Sequence, residues 1–299
     1  MNLAGIDVLA SIPSPSSGTF DAGPLTIHMY GLMLLLGIGA CIWLTGVRWV
    51  RRGGDWDLIF RVAVWGVGAG IAGARLYHVA TSWDEVYGQA DDHWYDFLAV
   101  WEGGLGIWGG IGAGVIVGSM VAHRAGASAL ALLDAAAPGL LVAQAIGRVG
   151  NWWNQELFGE PTDLPWGLEI DAVRRPDDYL LSETFHPTFL YEGLWNLLAA
   201  GALLLLDRRY RFRPPALFAL YVALYTGFRF YLETLRVDPS KELLGLRVNA
   251  WVALVVFVVA VAFFIWWQLF GGRRRRLHEP KPQPPPTMAV PRERVRPRR

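Results

Sequence analysis

Between Gly147 and Gly159 the chain reads GRVGNWWNQELFG. Arg148 closes an apolar run, and Asn151, Asn154, Gln155 and Glu156 follow, with Trp152 and Trp153 among them. An arginine is expensive in hydrocarbon and marks a functional site by default, while tryptophans favour the membrane–water interface. A guanidinium beside amides and a carboxylate suits anion recognition, because its planar fork presents parallel donors to phosphate or carboxylate. The stretch is therefore expected where a helix leaves a bilayer, with its polar groups turned towards protein.

Composition indicates what positions it. The 299 residues are 53% apolar and 18% charged, below the roughly 25% charge of soluble domains. Apolar runs near 27–47, 58–80, 105–122, 129–147, 188–206, 216–232 and 248–270 approach the roughly 20 residues that cross hydrocarbon. The expected class is an all-α polytopic membrane protein with seven transmembrane helices. Basic clusters follow the first, third, fifth and seventh runs: Arg48, Arg51 and Arg52; His123 and Arg124; Arg208, Arg209, Arg211 and Arg213; Arg273 to Arg276. Acidic or mixed segments, such as Ser82–Glu102, follow the others. The positive-inside rule then puts the N-terminus outside and the C-terminus in the cytoplasm.

Residues 1–272 are expected to form the membrane domain, with a small external cap near 151–187. The proline- and arginine-rich residues 273–299 read as a disordered cytoplasmic tail. Residues 1–24 read as an arm lying on one membrane surface, with no cleavable leader. Gly66 and Gly70, and then Gly106, Gly110, Gly114 and Gly118, recur every four residues, a spacing that lets helix backbones approach in lipid. The single cysteine, Cys41, excludes an internal disulfide and a cysteine metal cluster. There is no HExxH, P-loop or GxSxG motif. No metal or cofactor is implied, and nothing in the charge pattern requires a nucleic-acid partner.

Placed in these spans, Arg75, Arg148, Arg229 and Arg236 share one height near the outer ends of three helices. His28, Tyr30, His78, His186, Tyr191 and Glu192 lie at the same level. Tyr225, Arg229, Glu233 and Arg236 fall within an arc of about 80° on one helix, and Gln144, Arg148 and Asn151 within about 60° on another. One reading is structural: an Arg229–Glu233 pair, four residues apart, that stabilises the bundle. The other is that the arginines outnumber the carboxylates and share an anion, for which a phospholipid headgroup is the neighbour at that depth. A transporter would instead place its polar site near the midplane, often between inverted repeats. A lipid-binding scaffold remains an alternative.

Together these residues resemble the bacterial prolipoprotein diacylglyceryl transferases. The resemblance rests on GRVGNWWNQELFG, with HMYGLM at His28–Met33, GARL at Gly73–Leu76, WEGGLGIWGG at Trp101–Gly110, HPTFLYE at His186–Glu192 and YTGFRFYLETLR at Tyr225–Arg236. It implies transfer of the diacylglyceryl group of phosphatidylglycerol to the lipobox cysteine of a preprolipoprotein signal peptide. Glycerol 1-phosphate is released, at the outer leaflet of the bacterial cytoplasmic (inner) membrane. It implies catalytic roles for Arg148, Arg229, Glu156 and Tyr30. Substrate contacts would come from Arg148 and Arg229 as well, and from Asn151, Gly159, Tyr225 and Glu233, joined by Arg75, Arg236 and His28 at the same level. One position departs from the pattern: Trp108 precedes Gly109–Gly110 where many members carry histidine, so a histidine base at that position is excluded.

Overall fold

A computed structural model describes residues 11–23, 25–87, 93, 95–99 and 104–270. The described residues are mainly helical. Among them are seven long helices, α1 (Met29–Arg51), α2 (Trp56–Thr81), α4 (Ile107–Arg124), α5 (Ala129–Asn154), α6 (Thr188–Arg209), α7 (Ala216–Glu233) and α8 (Val248–Phe270), with a short α3 (Trp83–Tyr87). Three two-stranded antiparallel pairs join them: β1 (Thr19–Ala22) with β2 (Leu25–His28), β3 (Leu168–Glu169) with β4 (Thr184–Phe185), and β5 (Glu242–Leu243) with β6 (Leu246–Arg247).

The long helices stand where the apolar runs predict them. Five of them, α1, α2, α5, α6 and α8, are long and apolar enough to cross a membrane. The other two, α4 and α7, are 18 residues each, and their polar ends lower the mean hydropathy: His123 and Arg124 on α4, Arg229 and Glu233 on α7. Side-chain caps fix two of the starts. Asp55 accepts from Leu58 N at 2.8 Å at the head of α2, and Ser128 accepts from Ala131 N at 3.3 Å at the head of α5, satisfying amides the first turn leaves unpaired.

The glycine rows do what their spacing predicts. A Cβ on Gly109 would lie 2.2 Å from the Gly73 carbonyl oxygen, and one on Gly114 would lie 3.1 Å from that of Gly66. The backbones of α2 and α4 are thus in direct antiparallel contact. The α1–α5 pair is also antiparallel: Gly37 meets Ala143, and Gly139 meets Cys41. Ala137, Leu141, Ala199, Ala200, Leu203 and Leu217 form a fully buried apolar core between α5, α6 and α7.

The two ends of the bundle differ. At the loop end, Pro138 inside α5 has no N–H to offer the Asp134 carbonyl one turn earlier. Arg48 Nη2 donates to that oxygen at 3.0 Å and Nε to the next carbonyl, Ala135, at 2.8 Å. Asp207 on α6 meets Arg48 at 3.2 Å and takes two bonds of 3.0 Å from Arg52. The Asp134 carboxylate accepts the Phe218 N–H in the first turn of α7 at 2.8 Å. One clasp therefore ties α1, α5, α6 and α7.

At the other end lies the cap. Phe158, Leu168, Ile170 and Phe185 form its own core, with Ile12, Trp152 and Tyr179 packed against it. The described part of the N-terminal arm, residues 11–23, is joined to this cap. Ile12 bonds to Gly167 and Glu169 at 2.8 and 2.9 Å, and the Pro13 carbonyl accepts from Trp152 Nε1 at 3.1 Å. The first ten residues, the acidic Asp91, Asp92 and Glu102, and the tail from 273 lie outside the described residues.

Candidate active site

The site gathers at the cap end, where α5 stops, α6 starts and α7 stops. Gln155 ends α5 in the left-handed conformation, φ 51°, a conformation that helix ends usually give to glycine or asparagine. Its side chain holds that turn, with Nε2 donating to the Pro15 carbonyl at 3.0 Å and to Asp171 at 2.6 Å. The chain can then double back, and the residues just before and after the turn face one another. Asn151 accepts from Arg148 Nη1 at 3.1 Å and donates to Glu156 Oε1 at 2.7 Å, and Asn154 adds a 3.2 Å bond to the same oxygen. Arg148, Asn151 and Glu156 are thus one hydrogen-bonded chain.

Two carboxylates organise the arginines. Glu192, in the second turn of α6, is 2% exposed. One of its oxygens accepts Arg148 Nη2 at 2.6 Å and the other accepts Arg229 Nη1 at 3.2 Å. Glu233 Oε1, at the end of α7, takes bonds from Arg229 Nη2 and, at 3.0 Å, Arg236 Nη1. Arg236 is also forked onto Asp238 at 2.6 and 2.8 Å. Arg247 of β6 donates to Asp238 at 2.8 Å and to the Arg236 carbonyl at 2.9 Å. Its Nε lies 2.9 Å from Glu233 Oε2 without hydrogen-bond alignment. Burial pushes the Asp238 carboxyl up, but the bonds and charges of Arg236 and then Arg247 outweigh it and hold the group below its ordinary value.

Accessibility separates two layers. The Arg148 and Arg229 side chains are 18% exposed, against 6% for Arg236 and 10% for Arg247. The front pair, with Arg236 behind it, lines a tight crevice that has no room for a water in this arrangement and is walled by Asn151, Thr188, Phe189 and Leu232. The rear pair is locked against Glu233 and Asp238. Tyr225 adjoins the Arg148 guanidinium.

Of the remaining expected residues, Tyr30 lies over α5, its ring 2.6 Å from where a Gly150 Cβ would sit, one residue from Asn151. His28 immediately precedes α1 and is exposed. Gly159 sits where three chain segments cross. Its N–H donates to the His186 carbonyl at 3.0 Å, it pairs with Arg236, and a Cβ would come within 2.8 Å of His186 and 3.0 Å of the Leu235 carbonyl. Close approach therefore requires glycine there.

Arg75 is not drawn into this network. Its guanidinium bonds the carbonyls of Phe97, Asp96 and Gly104 at 3.1, 2.6 and 3.3 Å, fixing the segment between α2 and α4. Trp108 is 60% exposed on the second residue of α4.

The expected excess of cations over carboxylates needs correction. Arg148, Arg229, Arg236 and Arg247 face Glu192, Glu233 and Asp238, with Glu156 attached through Asn151. By sequence Glu192 stands out only as a polar group at that height, and Asp238 and Arg247 do not stand out at all. A lone carboxylate in the first turns of an otherwise apolar α6 was the available signal for Glu192. For Arg247, it was an arginine immediately before the most apolar helix.

This architecture defines a helical membrane protein with a buried arginine–carboxylate site at one end of the bundle. A family model for prolipoprotein diacylglyceryl transferase matches residues 17–266, and the chain belongs to that family. It is 50% identical over 254 residues to the phosphatidylglycerol–prolipoprotein diacylglyceryl transferase of Frankia alni, covering 85% of this chain and 67% of the relative. It is 49% identical over 263 residues to that of Cutibacterium acnes, covering 88% of each. With the second such enzyme of Streptomyces coelicolor the identity is 48% over 257 residues, 86% of this chain and 81% of the relative.

Proposed function

We propose that this enzyme transfers the diacylglyceryl group of phosphatidylglycerol to the thiol of a lipobox cysteine, and that Arg148 and Arg229 clamp the lipid phosphate. The observation that carries the reading is Glu192, which holds two partly accessible guanidinia from different helices side by side on one carboxylate. In the reaction the thiol sulfur attacks the glycerol carbon that bears the phosphate ester. A C–S bond forms, the C–O bond to phosphate breaks, and the bonding pair leaves with glycerol 1-phosphate. The thiol proton passes to a base or to water. Charge grows on the leaving oxygen, where preoriented donors stabilise a transition state most. A positive site also favours the thiolate, the reactive form of the nucleophile.

In this reading Asn151 and Glu156 orient Arg148, and Tyr225 steadies its outer face. Tyr30 and His28 border the same entrance. Gly159, Glu233 and Arg236 shape the wall behind the clamp, and Arg75 fixes the segment before α4. The exposed Trp108 stands in no catalytic position.

We further infer seven spans in the bacterial cytoplasmic (inner) membrane. The N-terminus and cap are outside, the site opens to the outer leaflet, and the basic loops are in the cytoplasm. The antiparallel pairing of α2 with α4 and of α1 with α5, and the clustering of basic residues at the loop end, support this.

The test is release of glycerol phosphate from vesicles containing phosphatidylglycerol. Release with a lipobox peptide and none with its cysteine-to-serine counterpart is expected. Lipid binding without release in either case would leave only a scaffold.

A further inference from the structure

A second candidate site lies at the opposite end of the molecule. Between the start of α2 and the end of α4 is a groove of about 370 Å³, lined chiefly by Arg61, Trp65, Val117, Met120, Val121 and Arg124, within the size range of small-molecule pockets. Its floor is the close α2–α4 contact, where a Cβ on Gly118 would meet Val62 at 3.4 Å. Val117, Val121 and Arg124 share one face of α4, and Arg61 and Trp65 one face of α2, by helical spacing. The groove is graded: Trp65 and Met120 present exposed apolar surface, and a guanidinium stands on each side nearer the helix ends. Arg61 pairs with Asp57 at 2.9 Å, but both side chains are more than half exposed, so the pair is weak and easily exchanged. Arg124 is the last residue of α4, where the helix dipole favours a cation.

We propose that this groove binds an anionic phospholipid, its phosphate between Arg61 and Arg124 and an acyl chain along Trp65 and Met120. The charge decides the occupant. Two cations from adjacent helices favour a headgroup with net negative charge over a zwitterionic one, whose own ammonium they repel. The apolar wall favours a lipid over free phosphate. Basic pockets between membrane helices bind acidic headgroups in this way. The site lies at the end of the bundle away from Arg148 and Arg229, so it does not depend on the transferase reading.

The experiment places an environment-sensitive fluorophore on Met120→Cys in a Cys41→Ala background. The full-length protein is then titrated in phosphatidylcholine nanodiscs of increasing phosphatidylglycerol content. A saturable change with phosphatidylglycerol, and none with inorganic phosphate, is expected. Arg61→Gln with Arg124→Gln should raise the half-saturating mole fraction by about thirtyfold, leave glycerol-phosphate release unchanged, and be largely corrected by the double lysine variant. A response that rises without saturation, an equal response to inorganic phosphate, or a glutamine variant that titrates like the parent overturns the proposal.

Discussion

At the loop end of the bundle Arg48 donates to two backbone carbonyls and meets one carboxylate. At the cap end Arg148 and Arg229 bond side chains: Asn151 and Glu192 for one, Glu192 and Glu233 for the other. The contrast distinguishes two uses of a buried cation. Arg48 replaces a donor that Pro138 removes from α5, and its side chain is 7% exposed, so it has no face to offer a ligand. Arg148 and Arg229 are held by groups that can share them, and they retain an accessible edge. Burial alone would have ranked Arg48 above Arg148 and Arg229. What the donors meet, and how much of the guanidinium stays exposed, separates fastener from site.

The sharpest way to break this comparison is to keep the charge and remove the fork. Arg148→Lys and Arg229→Lys should each lower turnover by about 10²–10³, the usual effect of removing one donor to developing charge, while thermal stability stays near that of the parent. Near-normal glycerol-phosphate release in either lysine variant would reclassify that arginine as a structural ion-pair partner.

Glu192→Gln probes the group that joins the two. The amide keeps the shape but can no longer accept from both guanidinia as an anion, and Arg148 and Arg229 then repel. Turnover should fall about tenfold to a hundredfold, the equivalent of one charge-assisted hydrogen bond of about 1.5–3 kcal/mol. The loss should appear for phosphatidylglycerol with any lipobox peptide. An effect confined to one peptide would move Glu192 from holding the clamp to reading the protein substrate.

Much of this was legible before any geometry. Helix positions followed from run length, and the α2–α4 contact from glycines every four residues. The convergence of Arg148, Arg229 and Arg236 followed from helical phase and depth. Legibility failed where partners come from elsewhere in the chain. Glu192 lies 44 residues from Arg148, and no periodicity links α6 to α5. Asp238 and Arg247 sit in a turn and a two-residue strand too short to carry a pattern. Arg75 has the right depth, but nearby loop carbonyls engage it, and backbone acceptors are invisible to residue type. The attachment of the arm to the cap was hidden for the same reason, since Ile12 and Pro13 engage it through backbone groups.

The loop-end clasp predicts the converse phenotype. Arg48→Ala leaves the Asp134 carbonyl without its replacement donor and deprives Asp207 of one partner. Breaking a buried pair in this way commonly costs about 3–5 kcal/mol. The melting temperature should drop, with glycerol-phosphate release per folded molecule unchanged. A variant of normal stability but low turnover would show that the loop end communicates with the site, and the division drawn above would fail.

The smallest expected effect divides the cap end itself, between the accessible front pair and the locked rear pair. Asp238 has its carboxyl held low by Arg236 and Arg247 against the opposing effect of burial. A carboxyl depressed in the folded state contributes its stabilisation in full above the unfolded value of about 3.9 and loses it as pH falls through the lower folded value. At neutral pH the contribution is therefore complete, and acid removes it. The side chain is 29% exposed, so the increment should be small, on the order of 1 kcal/mol. Hydrogen exchange of residues 236–247 should rise below about pH 4 in the parent. In Asp238→Asn it should already be raised at pH 7 and change less with acid. Because Arg236 and Arg247 still meet Glu233, neutral-pH turnover in that variant should fall far less than in the Arg148 or Arg229 variants. An identical acid profile in parent and Asp238→Asn would show that the rear pair draws its stability from Glu233 alone.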